Sequence, residues 1–298
     1  MDRYGEVDAI AEKWEKALLN LDYQTAVVMN ADDPQLSRIG KKIHTQNLYF
    51  GLDNPSYYLP RVQHATDSIY CPICGEKLVF QGMYYSHLGD WACTKFGFSK
   101  PKLNLSSKDV KAPLEGVYNI YNTLAATLVG KTLHLGKDQI KKSIVEFQPA
   151  FGRLEEITYK GKTVKILLSK NPTGFNESLR TVLQSKTKGP MMLVLNDRIP
   201  DGTDVSWIWD VDFELLDNYH YPLIISGGRA LDMGLRIKYG VTSYDLRVTN
   251  EMIFIIEKLK DAVEIAVEKT KENETLWVLA TYSAMLEVRK ILTGKRIL

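Results

Sequence analysis

Three features are scarce in this sequence of 298 residues: cysteine, an excess of one charge, and long apolar runs. It has only three cysteines, all between positions 71 and 93, whereas a secreted disulfide framework spreads an even number through the chain. Its 38 Lys and Arg residues balance 36 Asp and Glu residues, so no extended basic field favours nucleic acid. No run approaches the roughly 20 apolar residues of a membrane span. These absences predict a globular protein of a reducing, cytoplasmic compartment.

Strand-like apolar runs alternate with helical patterns through the first half of the chain. Residues 6–20 carry apolar side chains at helical spacing, and the apolar run from Thr25 to Met29 ends in the polar loop Asn30 to Pro34. A short apolar run that ends in a polar loop is typical of a buried parallel strand. This half therefore predicts a layer of parallel strands and helices.

A helix-breaking segment divides the chain near its middle. Pro149 to Arg153 interrupts a helical pattern and predicts a domain boundary. Beyond it strands alternate with helices again, among them a strand at 191–196 and a helix at 248–269. We predict an α/β protein with domains at 1–149 and 150–298, the second a mostly parallel, Rossmann-like sheet.

A β-rich segment at about 66–105 interrupts the first domain and contains all three cysteines. A module of this size usually needs a metal or another staple to fold. Cys71-x-x-Cys74-Gly is the kind of turn that wraps a metal ion. Its expected repeat, Cys93-x-x-Phe96-Gly, carries a phenyl ring where a second thiol is expected. The segment therefore predicts a zinc-ribbon-like module that has three cysteines instead of four.

Two alternatives remain for the fourth position of this module. His87 is the nearest imidazole, and structural zinc sites with three cysteines and one histidine are common. In the other alternative, Phe96 fills the fourth position with apolar contacts and leaves a weakened ribbon. Of the two, we predict that Phe96 fills the position.

Two stretches bear on nucleotide binding. Gly130 to Thr132 matches the last three residues of a P-loop motif. The preceding residues lack the first glycine of the motif, and the tripeptide closes a predicted helix, so we reject a phosphate-binding role. Asn119 and Asn122 lie one turn apart on the same helix, so their carboxamides can bind the edge of a base. Asparagines near a helix start also serve as caps. Arg153 at the boundary can reach a phosphate or stack on a base.

The second domain offers two further candidates. Ser226-Gly227-Gly228 follows a predicted strand and opens a helix, which is either an anion site or a tight turn that requires glycine. The region 201–212 also has four aspartates, more than a loop needs, and one of them is a candidate catalytic residue. They are Asp201, Asp204, Asp210 and Asp212.

Several motifs together resemble the Mur ligase family. They are Asp2 to Glu6, Asn30 to Pro34, Asn119 with Asn122, and Gly152-Arg153-x-Glu155. The cysteine segment, Lys170 to Asn176 and Asp204 to Asp210 are similar to the branch of the family that amidates the peptidoglycan precursor lipid II. The resemblance covers essentially the whole chain. It implies the central and C-terminal Mur ligase domains, in a chain that begins after the P-loop strand.

The resemblance also implies a carbon-nitrogen ligase that uses glutamine as amido donor. In this reaction ATP with Mg²⁺ phosphorylates the α-carboxylate of D-glutamate in lipid II, and ammonia displaces phosphate to leave D-isoglutamine. The ammonia comes from a GatD-type glutaminase, and the lipid substrate implies action at the inner face of the membrane. The alternatives are a non-catalytic remnant or a scaffold that docks the glutaminase, and a nucleic-acid-binding ribbon, which the balanced charge disfavours.

The resemblance assigns roles to individual residues. The adenine end of ATP would be held by Asn119, Asn122 and Arg153, with Lys170 and Asn171 approaching from the C-terminal domain. Zn²⁺ would be held by Cys71, Cys74 and Cys93. The family pattern has a histidine beside four cysteines, which suggests a packing or hydrogen-bonding role for His87, the candidate fourth ligand by position. Asp210 would complete the catalytic triad of the glutaminase from a rigid strand end, anchored in the core by Trp207 to Trp209, and Asp204 is the second candidate.

Overall fold

A computed structural model of the chain describes residues 7–64, 66, 68–147, 153–241 and 252–295, and for Val7 and Arg153 the backbone only. The chain divides into two compact units, Met1–Phe147 and Gln148–Leu298. Asp2 to Glu6 and Gly152, which carry part of the family resemblance, lie outside the described residues. In the described part, no helix is long and apolar enough to cross a membrane.

The first unit is built on a sheet of three parallel strands in the order β1-β2-β5. These strands are β1 (Ala26–Asn30), β2 (Gln46–Gly51) and β5 (Leu105–Ser106). The helices of this unit are α1 (Val7–Leu18), α2 (Pro34–Lys42), α3 (Val117–Thr132) and α4 (Lys137–Val145). Helix α3 packs on the sheet through a core that includes Phe50, Leu105 and Leu124.

The polar loop after β1 starts helix α2. Asp33 is the N-cap, and its side chain accepts hydrogen bonds from the backbone N–H groups of Gln35 and Leu36. Pro34 follows at the first helical position, where its missing N–H costs nothing. The carboxyl end of β1 is therefore fixed by local capping.

The cysteine segment forms an antiparallel hairpin of β3 (Val79–Tyr85) and β4 (Leu88–Ala92). Glycine is required at position 89, where the two paired strands approach closely, because a Cβ there would lie 2.4 Å from the backbone oxygen of Gly82. A small core of its own contains the three cysteines with Leu78, Trp91 and Phe98.

The second unit contains a six-stranded sheet in the order β10-β9-β8-β11-β7-β6. All neighbouring pairs are parallel except β6 with β7. The strands are β6 (Arg153–Tyr159), β7 (Lys162–Leu168), β8 (Met191–Val194), β9 (Leu223–Ser226), β10 (Ile253–Ile255) and β11 (Thr275–Ala280). The helices are α5 (Pro172–Gln184), α6 (Ala230–Gly240), α7 (Leu259–Lys269) and α8 (Tyr282–Thr293). The prediction of a mostly parallel α/β sheet is confirmed.

Apolar cores cover both faces of this sheet, one with side chains of α5 and α6 and the other with side chains of α7 and α8. The predicted helix at 248–269 is wrong at its start. The apolar residues Ile253 to Ile255 form β10, which pairs with β9, and α7 begins only at Leu259. Strand pairing takes priority here over the helical pattern.

Candidate functional site

The three cysteine side chains lie together beside the β3–β4 hairpin. Their Sγ atoms are all within 4.8 Å of one another, and Cys74 Sγ lies 3.6 Å from Cys93 Sγ. Zn²⁺ binds thiolates at about 2.3 Å, and a tetrahedron of that size places neighbouring sulfurs about 3.8 Å apart. Cys71 and Cys93 are buried. The thiols therefore fit three corners of a tetrahedral metal site.

Two turns of the same backbone pattern present these thiols. In the first turn, the N–H of Cys71 donates to the carbonyl of Glu76 at 2.7 Å. In the second turn, the N–H of Cys93 donates to the carbonyl of Phe98, also at 2.7 Å. An antiparallel bridge closes each turn, Tyr70 with Lys77 and Ala92 with Ser99. The second turn therefore repeats the first in backbone structure as well as in sequence.

Phe96 occupies the position in the second turn that Cys74 occupies in the first. The following residues, Gly75 and Gly97, both have positive φ angles, +73° and +62°, which a side chain would strain. The ring of Phe96 is 62% exposed, so the prediction that it fills the fourth position is wrong. The buried ring beside the cysteines is that of Phe98.

Backbone donors shape the ionisation of two of the thiols. Burial opposes the thiolate of Cys93, but the N–H groups of Phe96 and Lys95 and the neighbouring thiols outweigh it and lower its pKa. The N–H of Glu76 favours the thiolate of Cys74, but burial and the other two thiols together raise its pKa. One thiol of the cluster is therefore predisposed to be a thiolate, the form that binds metal.

His87 is not part of the thiol cluster, so the alternative in which it is the fourth ligand is wrong. It lies in the turn before β4, whereas Cys93 directly follows β4. The 5 residues of that strand separate the two by roughly 16 Å. His87 Nε2 lies instead 3.8 Å from Asp33 Oδ2. Among the residues that the structure describes, the group around the thiols contains no fourth His, Cys, Asp or Glu.

A buried ionic network stands at the carboxyl end of the sheet in the first unit. Asp32 is fully buried, and Lys100 Nζ lies 2.7 Å from its Oδ1. Its other oxygen accepts hydrogen bonds from the Tyr121 hydroxyl at 2.6 Å and the Leu52 N–H at 2.9 Å. Burial raises the pKa of Asp32, and these contacts act against that rise. The network joins the loop after β1 to helix α3.

The same lysine connects this aspartate to the hairpin. Lys100 Nζ lies 2.5 Å from Asp90 Oδ1, and Asp90 Oδ2 accepts hydrogen bonds from the hydroxyls of Tyr58 and Tyr84. Sequence reasoning missed this network. Nothing in the sequence pairs these three charged residues, and Asp32 lies far along the chain from the other two.

The two asparagines of α3 differ in their surroundings. Asn119 is 9% exposed, and its Nδ2 donates to the backbone oxygen of Glu115 at 2.5 Å. Asn122 is exposed. The structure therefore uses the Asn119 carboxamide to hold the start of the helix, and Asn122 is the one open to solvent. Gly130 to Thr132 ends α3, as predicted, and forms no phosphate-binding turn.

The glycine turn before α6 is already satisfied within the second unit. The N–H of Gly228 donates to Asn196 Oδ1 at 2.9 Å, and the N–H of Arg229 donates to the carbonyl of Leu195 at 3.0 Å. Gly227 has a φ of +99°, and a Cβ there would lie 2.4 Å from the oxygen of Leu195. These contacts favour the tight-turn alternative over an anion site.

The predicted nucleotide-binding residues of the second unit lie at its first crossover. Asn171 is the N-cap of α5, and its Oδ1 accepts a hydrogen bond from Gly174 N at 2.7 Å. Lys170, beside it, is exposed. Arg153 begins β6, and its side chain lies outside the described residues.

Asp210 is not at a strand end, as predicted, but at the end of a short 3₁₀ helix, residues 206–210. Only Ile208 of the preceding aromatic stretch is fully buried, and Trp209 is 48% exposed. Asp204 begins the same turn by accepting a hydrogen bond from Ser206 N at 2.8 Å, and contacts with Ser206 lower its pKa. Both aspartates are exposed.

The other two aspartates of this region serve the fold. Asp212 is 2% exposed and exchanges two hydrogen bonds of 2.8 Å with Asn176. Asp201 accepts a hydrogen bond from Ser283 N at 2.7 Å, in the first turn of α8. Neither is free to serve a partner without giving up these contacts.

Comparisons with known proteins agree on one family. A sequence-family model described as MurT ligase C-terminal matches residues 168–285. The chain is 28% identical to the MurT subunit of lipid II isoglutaminyl synthase (glutamine-hydrolyzing) of Streptococcus pneumoniae, over 100% of this chain and 68% of that protein. It is 29% identical to the Staphylococcus aureus MurT subunit, over 88% of this chain and 62% of that protein. The chain thus spans about two thirds of the length of these relatives.

Solved structures share the fold. A pseudomurein peptide ligase type C from Methanothermus fervidus has a TM-score of 0.67 at 19% identity, over 97% of this chain and 60% of that one. MurF ligase from Thermotoga maritima, in complex with ADP, has a TM-score of 0.57 at 13% identity, over 97% of this chain and 58% of that one. The fold is that of the Mur ligases.

Proposed function

Because this chain belongs to the MurT family of Mur ligase-like proteins, we propose that it acts as the synthetase part of a glutamine-dependent lipid II isoglutaminyl synthase. The observation that carries this proposal is the similarity to a MurT subunit over 100% of the chain, including the cysteine hairpin. A non-catalytic scaffold that only docks a glutaminase is the alternative outcome of the test below.

The proposed reaction amidates the α-carboxylate of D-glutamate in lipid II. A carboxylate does not accept ammonia directly, because its carbon is electron-rich and oxide is a poor leaving group. ATP with Mg²⁺ would supply the activation by transferring a phosphoryl group to the carboxylate. Ammonia then attacks the carbonyl carbon and phosphate leaves, giving the amide. Because lipid II is membrane-bound, we expect this reaction at the cytoplasmic face of the membrane.

Two of the predicted nucleotide-binding residues are exposed, and neither glycine-containing candidate forms a phosphate cradle. Asn122 is exposed on α3, and Lys170 is exposed at the start of α5, so both are available to a ligand. ADP in the Thermotoga maritima MurF structure supports nucleotide binding by this fold. The two glycine-containing candidates for a phosphate cradle do not fit, since Gly130 to Thr132 ends a helix and the α6 turn bonds to its own unit. We therefore assign no phosphoryl-transfer step or Mg²⁺ ligand to described residues.

A GatD-type glutaminase is the proposed source of ammonia. The relatives are named as subunits of a glutamine-hydrolyzing enzyme, which supports a second subunit. A cysteine glutaminase needs a carboxylate or equivalent group to orient its histidine. Asp210 is our candidate for that carboxylate, and Asp204 is the second. Both are exposed, as a residue that completes a site on another chain must be.

The test is reconstitution with a GatD-type glutaminase, lipid II, ATP, Mg²⁺ and glutamine, followed by mass spectrometry of the stem peptide. We expect conversion of the carboxyl to the amide, with ADP formed in equal amount, when the protein tested includes a P-loop, because the described residues form no phosphate cradle. A glutaminase whose nucleophilic cysteine is replaced by alanine is the control, because an ammonium salt should then restore amidation. Glutamine hydrolysis without amidation under both conditions would favour the scaffold alternative.

A further inference from the structure

We propose that the three cysteines form a metal site whose fourth coordination position is open to a small thiol from solution. This inference concerns the hairpin alone and does not depend on the ligase reaction. It begins from the repeat of the two turns, which share hydrogen bonds, flanking bridges and positive-φ glycines.

The repeat locates the missing donor. Cys71, Cys74 and Cys93 supply three sulfurs, and the fourth corner belongs to the side chain of residue 96, by equivalence with residue 74. That side chain is a phenyl ring with no donor atom. Because Phe96 is 62% exposed, its side chain does not fill this corner.

Within the part of the chain that the structure describes, no nearby His, Cys, Asp or Glu replaces the missing donor. His87 lies at the opposite end of β4, next to Asp33. Closed zinc sites have four protein ligands, whereas three protein ligands leave a position for an exchangeable molecule.

The donor set determines the ions and ligands that this site prefers. Thiolates select soft or borderline ions such as Zn²⁺, and a soft ion held by sulfur favours another sulfur over water. In a reducing compartment, low-molecular-weight thiols are the abundant molecules of that class. No described His, Asp or Glu joins the three thiols, so we infer ligand binding at this position and not hydrolysis.

Cobalt(II) substitution tests this inference, because its visible bands report the number of sulfur ligands. In the unmodified full chain loaded with Co²⁺, we expect 2-mercaptoethanol to shift and intensify these bands in a saturable titration. Phe96→Cys should show the four-sulfur spectrum without added thiol and should not respond to it. Phe96→Ala is the matched control, since it removes the ring without adding a donor and should respond like the unmodified chain.

Two outcomes would overturn the proposal. A four-ligand spectrum in the unmodified chain that ignores added thiol would mean that another protein group fills the position. Failure of the unmodified chain and of Phe96→Ala to bind Co²⁺, while Phe96→Cys binds it, would mean that three thiols do not hold the ion. Circular dichroism of each variant would establish that it is folded, and His87→Ala should leave the titration unchanged.

Discussion

Replacing Lys100 with methionine should strongly destabilise the first unit. The lysine side chain is 13% exposed, and its Nζ contacts two carboxylates, Asp32 at 2.7 Å and Asp90 at 2.5 Å. It also donates to the backbone carbonyl of Leu52 at 2.7 Å. Methionine has a similar length and keeps the apolar contacts of the stem. The substitution therefore removes the charge and its three contacts with little change in volume.

The expected cost follows from what is left behind. Removing one partner of a buried ion pair costs about 3–5 kcal/mol, because the other charge stays buried without compensation. Asp32 is fully buried but keeps hydrogen bonds from Tyr121 and Leu52, and Asp90 is 24% exposed and regains some water. We therefore expect the lower end of this range, about 3 kcal/mol. That is a large fraction of the 5–15 kcal/mol that usually stabilises a domain.

The loss of unfolding free energy caused by Lys100→Met should also grow with pH. Burial already raises the pKa of Asp32, and loss of Lys100 raises it further. A carboxyl with a raised folded pKa contributes stability below its unfolded pKa and loses it as pH rises through the folded value. In the unmodified chain, burial opposes ionisation of Asp90, but the hydrogen bond from Lys100 and those of two tyrosines lower its pKa. The stability that Asp90 contributes is present above its unfolded pKa and is lost only at lower pH. The difference in unfolding free energy between the unmodified chain and Lys100→Met therefore widens as pH rises.

Urea unfolding at about pH 5 and about pH 8 measures this gap, since the linkage relation gives its sign. Hydrogen exchange of peptides that cover β3 and β4 assigns the loss to the first unit. Lys102→Met is the control, because Lys102 is exposed and a surface change usually stays within about 0.5 kcal/mol. Equal losses in the two variants, or a gap that does not change with pH, would refute the reasoning.

Three further predictions concern the second unit. Asn171→Ala should cost about 1 kcal/mol in thermal unfolding by removing the α5 cap, whereas Asn171→Asp, which still caps, should cost little. Gly227→Ala should cost about 2 kcal/mol or more in urea unfolding, because its Cβ would lie 2.4 Å from a carbonyl oxygen. Gly202→Ala is the control, and it should cost less because Gly202 has a positive φ but open space around it. Asp210→Asn should leave glutaminase binding intact and lower glutamate release by at least about 100-fold; loss in Asp204→Asn alone would move the role to Asp204.

The sheet of the second unit could be predicted because its central strands are apolar throughout. Every residue of β8 and β11 is buried, and such continuous runs are typical of parallel strands covered on both faces. The short element at 206–210 could not be predicted in this way. Its alternating aromatic pattern resembles a strand, but only Ile208 is fully buried, and a single 3₁₀ turn that starts from the Asp204 side chain is enough to bury it.

Local and distant contacts explain which parts of the candidate site could be predicted. The thiol cluster could be predicted, because its two turns are short and each is specified by its own cysteine and glycine. The role of His87 could not be predicted. It is close to Cys93 in sequence, but an extended strand places the two at its opposite ends. The contacts of Lys100 with Asp32 and Asp90 depend on the docking of the hairpin onto the sheet. No periodicity or motif encodes that docking.

The hairpin contacts the rest of the first unit through residues other than its cysteines. At one end are the three thiols. Near the start of β4, the N–H of Gly89 donates to Asp32 O at 3.1 Å and Asp90 joins the buried network. Trp91, which packs against the cysteines, donates through Nε1 to Ala31 O at 3.2 Å. A module of this size usually needs one staple to fold. Because the contacts of Gly89 and Asp90 use no cysteine, this part of the hairpin docks without four metal ligands, which fits the presence of a phenylalanine at position 96.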